Sequence, residues 1–256
     1  MGNTITIPRH PQRIVSLVPS QTELLIDLGL REQLVGITKF CIHPPELRKE
    51  IKVVGGTKNF HLDRIATLEP DLIIGNKEEN EEGRIKALQK DYPVWMSDIT
   101  VLSEALTMIL QLGVITGKAE EAASMISSIT EDFERLRFAR KRPETLYFIW
   151  RKPWMAAGRH TFIDAMLKHS GFRNAISDSR YPELTVEEIV AANPEVVMLS
   201  SEPYPFKEEH IAELQALLPQ ARIVLVDGEM FSWYGSRLLK APAYFKQLGD
   251  SLFSES

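Results

Sequence analysis

Apolar residues along this chain fall into short unbroken runs, separated by stretches where they recur every three or four positions. The first pattern predicts buried strands and the second amphipathic helices. Arg13-Ile-Val-Ser-Leu-Val18, ended by Pro19, predicts a strand. Thr22–Gly29 predicts a helix, with Ser20 as its cap and Gly29 as its stop. Val35–Thr38, Asp71–Ile74 and Val94–Met96 predict further strands. The second half follows the same plan, with strands at Thr145–Trp150, Val196–Leu199 and Ile223–Val226 and a helix over Thr161–Ser170 stopped by Gly171. Trp150, inside an apolar run, is expected in the core. Strands separated by helices imply parallel pairing through crossovers, hence an α/β protein.

One pair of segments indicates duplication. Leu62-Asp-Arg-Ile-Ala-Thr-Leu-Glu-Pro-Asp-Leu-Ile-Ile74 aligns without gaps on Val186-Glu-Glu-Ile-Val-Ala-Ala-Asn-Pro-Glu-Val-Val-Met198. Asp63 matches Glu187, Ile65 matches Ile189 and Pro70 matches Pro194. Each segment reads as a short helix, a proline-marked turn and an apolar strand, and each is followed by a strand ending in aspartate, Asp98 or Asp227. Between the halves, Ala119, Ala122, Ile126, Ile129, Phe133 and Leu136 form one apolar stripe. This predicts a helix from about Lys118 to Lys141, capped by Thr116, ended by Pro143 and spanning roughly 35 Å. The stripe covers only about three heptads, so packing against both lobes is favoured over a coiled coil. The expected fold is α/β: two similar lobes with mostly parallel central sheets flanked by helices, joined by one long interlobe helix. The boundaries are 1–115, 116–142 and 143–256.

The chain has 256 residues, 44% hydrophobic and 25% charged, which is globular composition. A net charge of −5 and no concentrated basic run argue against a nucleic-acid partner. The most basic stretch, Arg135–Arg142, reads as a helix end whose cations complement the dipole. Cys41 is the single cysteine, so no internal disulfide is possible. No apolar run approaches the ~18 residues of a membrane span. No basic segment followed by an apolar stretch opens the chain, so the protein is either cytoplasmic or lacks its leader here. Met1-Gly2 with Thr6 matches a myristoylation pattern too short to carry weight. Phosphate-cradling, dinucleotide and nucleophile-elbow motifs are absent, and no catalytic function is expected.

Arg13-Ile-Val-Ser-Leu-Val-Pro-Ser-Gln-Thr-Glu23, then Leu62-Asp-Arg-Ile65 with Pro70-Asp-Leu-Ile-Ile74, then Ala157-Gly-Arg-His-Thr-Phe162 resemble the periplasmic cobalamin- and siderophore-binding proteins. The resemblance runs from about residue 5 to 250. Gly75–Asn80 and Asp227–Arg237 resemble a cobalamin-binding-like subgroup. The resemblance implies a monomeric substrate-binding protein that clamps a cobalamin, haem or iron chelate between its lobes. It would then pass the cargo to the membrane permease of an ABC-type importer, outside the cytoplasm. No covalent cofactor is implied. In that family one acid on each lobe docks with permease arginines, which places the docking residues at Asp63 and Glu187. The family residue at the first position is usually glutamate, so Asp63 has a shorter reach. A carboxylate in the first turn of a helix also stabilises the dipole without any partner.

Ligands of open α/β lobes sit beyond the carboxyl ends of parallel strands. The loops there carry the candidate ligand-binding residues: Lys39, Phe40, Lys77, Glu78, Arg151, Trp154, Arg159, Phe231, Trp233, Tyr234 and Arg237. Stiff aromatic faces beside cations suit a flat, partly anionic ligand. Trp233 is expected at the ligand, so that its loss would weaken binding and spare stability. Cys41 and His43, two apart on an extended segment, could face one side and ligate a metal together with Glu78 and Glu79. His43-Pro44-Pro45 could equally be a plain turn. A cytoplasmic carrier, or an enzyme acting on a tetrapyrrole or metal ion, remains the alternative.

Overall fold

The computed structural model describes residues 7, 9–138 and 142–253. The chain divides into two compact units. Unit 1 takes the residues up to Asp98, Ser103–Ser128 and Tyr234–Arg237; unit 2 takes Ile99–Leu102, Ile129–Trp233 and the residues from Leu238. Tyr234–Arg237 thus counts with unit 1, although it follows the last strand of unit 2 in sequence.

In chain order the first unit runs β1 (Ile14–Ser16), α1 (Pro19–Asp27), β2 (Leu34–Ile37), α2 (Leu47–Glu50), β3 (Lys52–Val53), α3 (Leu62–Ala66), β4 (Leu72–Asn76), α4 (Glu82–Leu88) and β5 (Val94–Ser97). Two helices follow, α5 (Leu102–Thr116) and α6 (Ala119–Arg135). The second unit runs β6 (Glu144–Trp150), β7 (Trp154–Ala156), α7 (Phe162–His169), β8 (Arg173–Asn174), β9 (Glu183–Leu184), α8 (Val186–Ala192), β10 (Val196–Ser200), α9 (Glu208–Leu217), β11 (Arg222–Val226), α10 (Glu229–Ser232) and α11 (Ala241–Phe253).

Among the described residues unit 1 holds a wholly parallel sheet in the order β3-β2-β1-β4-β5. Unit 2 holds the order β11-β10-β6-β7-β9, with β8 also on β6. Its β11, β10, β6 and β8 pair in parallel, while β7 and β9 join antiparallel. Apolar β1 and β4 are buried residue by residue, as strands covered on both faces must be. Val15, Ile73, Ile65 and Phe60 anchor one core; Leu146, Phe148, Val197 and Ile189 anchor the other.

The duplication is visible in backbone detail. In both units a central strand pairs with the strand after the proline turn, and that one with the strand after the next helix. Ile73 and Val197, which the ungapped alignment equates, face Val94 and Ile223, on the partner strands after the next helix. Glu69 and Asn193, also equated, both turn left-handed at φ 43° and 41°. Asp71 and Glu195 each donate their backbone N–H to a carbonyl at the N-terminal end of the central strand, Arg13 just before β1 at 2.9 Å and Glu144 opening β6 at 2.8 Å. The Asp71 carboxylate in turn accepts from the Gln12 and Arg13 N–H groups at 2.8 Å. Equivalent turns therefore tie equivalent strands.

The connecting helix is shorter than the stripe suggests. Thr116 does not cap it: Thr116 ends α5, its hydroxyl donating back to the Leu112 carbonyl at 2.7 Å. Gly117 then breaks the chain direction at φ +74°. α6 ends at Arg135, so the rest of the basic stretch lies beyond the helix, and 139–141 fall outside the described residues, as do Met1, Gly2 and Thr6. The Arg135 side chain pairs with Glu131 at 3.0 Å. Ala122, Ile129 and Phe133 of the stripe are buried; Ala119 is exposed. Ser20 lies inside α1, which begins instead at Pro19, a residue suited to the first turn because it has no N–H to satisfy. No described helix is long and apolar enough to cross a membrane.

Candidate functional site

Every strand of the unit 1 sheet points the same way, so the segments after β1, β2, β4 and β5 gather at one sheet edge. Beneath that edge lies a buried polar web. Asn80, 6% exposed, accepts the Asn76 N–H at 2.8 Å and donates to the Leu17 and Thr57 carbonyls at 3.2 and 2.9 Å. Asn76 accepts the Glu78 N–H at 2.8 Å and donates to the Ser97 hydroxyl at 3.0 Å; Gln21 donates to the same hydroxyl at 2.6 Å. Gly75 has to be glycine for this, since a Cβ there would stand 2.7 Å from Asn80 Oδ1. Buried and mutually bonded amides hold the 76–80 turn rigid under whatever the edge carries. Polar residues ending apolar strands were the available signal for this web.

Above it, Lys39 and Phe40 are exposed, with the ammonium 4.9 Å from the Phe40 ring centre, and Phe40 keeps 49% of its surface. Lys77 is exposed and bridges to Asp98 at 2.7 Å; Glu78 is half-buried. Cys41 does not lie on an extended segment. Its N–H closes a turn onto the Thr38 carbonyl at 3.1 Å, so the two-residue alternation with His43 fails. The Cys41 sulfur is buried against the Thr22 and Thr38 hydroxyls at 3.1 and 3.3 Å, and burial pushes its thiol up, away from the thiolate a metal requires. Among the described residues no group of three or more His, Cys, Asp and Glu side chains is arranged so that it could hold a metal ion.

The Tyr234–Arg237 segment is packed, not an open loop. Tyr234, 6% exposed, donates its hydroxyl to Glu79 at 2.6 Å, and burial with that carboxylate holds the phenol well above its ordinary range, protonated. Arg237 pairs with Glu23: Nε donates to Oε2 at 3.0 Å, and Nη2 lies 2.8 Å from Oε1 as an ion-pair contact, both side chains under a tenth exposed. The guanidinium expected at the ligand thus faces an internal carboxylate. Glu23 lies within the opening motif, but nothing in the sequence ties it to a residue so distant in the chain.

In unit 2 the parallel strands β6, β10 and β11 likewise end together. Trp154 is 6% exposed, stacked parallel to Phe206 at 6.1 Å, and the Arg151 guanidinium lies 4.4 Å over its ring. Arg151 also grips Glu213, Nε to Oε2 at 3.1 Å, which lowers that carboxyl's pKa. Both residues therefore brace the unit. Arg159 is exposed. Trp150 is not core: as the last residue of β6 it keeps 40% of its surface, edge-on to half-buried Tyr204 at 5.6 Å. Phe231 is fully buried among Tyr147, Phe245 and Tyr244, hence core and not lining. Trp233 is 6% exposed, its indole N–H on Glu202 at 2.8 Å. Four aromatic and cationic residues expected to be open, 231, 233, 234 and 237, are buried because each polar tip finds a partner inside its own unit or, for Phe231, has none to satisfy.

Glu202 was not singled out in the sequence. The same oxygen that takes the Trp233 N–H accepts the Ser232 hydroxyl at 2.7 Å. Burial pushes the Glu202 carboxyl up; Glu229 and Asp227 nearby add to the rise, and the two donors oppose it. A carboxyl whose folded pKa is raised binds its proton more tightly than in the unfolded chain, where it titrates near 4.5. Stability is then favoured at acid pH and lost as pH rises through the folded value. Glu202→Gln, which keeps the acceptor, should melt above the parent at neutral pH, with the gap closing as pH falls through the raised folded value and gone below about 4.5. Thermal melts across pH 4 to 8 would read this, and a gap independent of pH would contradict it.

Asp63 and Glu187 are exposed in the first turns of α3 and α8, each on its own unit. Among known proteins, a model of the periplasmic binding protein family matches residues 14–218. An uncharacterized ABC transporter substrate-binding lipoprotein, YvrC of Bacillus subtilis, is 26% identical, covering 98% of this chain and 83% of that one. A vitamin B12-binding protein of Pectobacterium carotovorum is also 26% identical over 90% of this chain and 86% of its own. The solved periplasmic heme binding protein HutB of Vibrio cholerae superposes at a TM-score of 0.80 with 22% identity, covering 94% of this chain and 99% of HutB. With the family pattern matched across both units, this chain belongs to the periplasmic binding protein family.

Proposed function

We propose that the chain captures a metal chelate and delivers it to the permease of an ABC-type importer, working outside the cytoplasmic membrane. The cargo class is a cobalamin or other corrinoid, haem, or an iron chelate, bound reversibly and released unaltered. One observation carries this reading: each unit leaves a large aromatic exposed where its strands end, Phe40 at 49% and Trp150 at 40%. Folding would normally bury such rings, and each has a cation or second aromatic beside it, Lys39 for Phe40 and Tyr204 for Trp150. Macrocycles and catecholate-type chelates offer flat faces for those rings and peripheral acids for Lys39 and Arg159. The similarity to a vitamin B12-binding protein and the shared fold with a heme-binding one support the class without choosing within it.

Gel filtration of the purified chain with cyanocobalamin, and separately with hemin, followed by visible absorbance, tests the cargo. Co-elution with an unchanged spectrum is the expected result, and co-elution with neither would remove this ligand class. A new absorbing species forming with turnover would favour the enzymatic alternative. Phe40→Ala and Trp150→Ala should each weaken retention by about tenfold, equal to ~1.4 kcal/mol of lost ring contact, and barely move the melting temperature. The docking role of Asp63 and Glu187 is read from the pair Asp63→Ala/Glu187→Ala. Cargo binding should be unchanged while permease-dependent uptake falls; full uptake would remove the role.

A further inference from the structure

Unit 1 carries a concavity of about 760 Å³ beside the helix bearing Asp63. Its charged lining is Arg48, Lys49, Lys52 and Arg64 against Glu50 and Asp63. Glu50 is already engaged by Arg31, whose Nε donates to it at 3.1 Å. Arg48 and Arg64 are steadied by backbone carbonyls, Lys39 at 3.1 Å and Val53 at 3.5 Å. Asp63 therefore stands as one acid amid four cations. The equivalent helix α8 presents the opposite character. Its sequence, Val-Glu-Glu-Ile-Val-Ala-Ala, holds no cation, and Val186 and Val190 are 42% and 46% exposed beside Glu187 and Glu188.

We infer that the permease surface meeting α3 is bipolar, pairing an arginine for Asp63 with acidic side chains that enter the basic concavity, whereas the surface meeting α8 is cationic and apolar. This rests on the docking role proposed above. The physical reason is repulsion: an arginine brought to Asp63 without accompanying acids meets Arg64, Lys49, Lys52 and Arg48, and like charges at close range oppose association. Acids alone would meet Asp63. Only a surface with both signs satisfies both, and this distinction prevents the two helices from exchanging partners.

The test is binding of the full chain to its permease in phosphatidylcholine nanodiscs at low salt, where surface charge is least screened. Lys49→Glu/Lys52→Glu on exposed positions should weaken binding tenfold or more, with an unchanged melt. A wholly cationic permease surface requires the opposite sign. Tighter or unaltered binding by this double variant, while Asp63→Ala still weakens it, overturns the bipolar surface and leaves docking intact. If Asp63→Ala/Glu187→Ala has no effect, docking itself fails, and the inference with it. Binding of the chain to phosphatidylglycerol vesicles without permease, abolished by the lysine reversals, would reassign the concavity to anionic lipid and likewise overturn it.

Discussion

Arg237→Ala should cost about 3–5 kcal/mol of stability, the cost of breaking one side of a buried ion pair. The reason is the partner left behind. Glu23 is 9% exposed at its side chain; its Oε2 accepts the Arg237 Nε–H at 3.0 Å, and its Oε1 lies 2.8 Å from Nη2 as an ion-pair contact. Deleting the cation strands a carboxylate that water barely reaches, and the chain must unfold locally, admit solvent or protonate it. Replacing both partners together, Glu23→Leu with Arg237→Met, removes the charge from each side and should return most of the loss. Urea denaturation of Glu23→Leu, Arg237→Met and their double measures the coupling. A loss under about 1 kcal/mol for Arg237→Ala would mean the pair is solvated, and that Arg237 is available for a ligand after all.

Trp233→Ala should cost about 3–5 kcal/mol, the range for emptying a buried aromatic site. The opening expectation for this residue, a binding defect with normal stability, is reversed by its 6% exposure and its bond to Glu202. Trp233→Phe separates the two contributions. It keeps most of the packing but withdraws the indole N–H, leaving Glu202 with Ser232 as its remaining donor of the two, and should cost about 1–3 kcal/mol. Because a less-supported carboxylate holds its proton more readily, the Trp233→Phe loss should shrink at acid pH. A melting temperature close to the parent for Trp233→Ala would show that the 229–233 segment opens readily, and would restore it as a ligand wall.

Much of the architecture follows from the sequence alone, because strand and helix periods are local. The seven principal strands, the helix stops at Gly29 and Gly171, and the duplicated helix-turn-strand unit are each specified by residues a few positions apart. Ile65 and Ile189 are buried as their matched spacing requires. The exposed acids of α3 and α8 were likewise visible as first-turn carboxylates. What a one-dimensional pattern cannot supply is which distant groups meet. Phe40 and Phe231 have the same side chain after a strand, yet one keeps half its surface and the other none. Trp150 ended an apolar run and read as core, although a strand's last residue can project past the layer that covers the rest. Short β3, β7, β8 and β9 lack enough residues to show a period, so only pairing reveals them.

From sequence alone came the α/β class, the repeat and the family, since each depends on neighbours in the chain. The tertiary structure alone decided which of these aromatics and cations stay exposed, because burial depends on the partner that long-range folding brings: Glu23 for Arg237, Glu79 for Tyr234, Glu202 for Trp233.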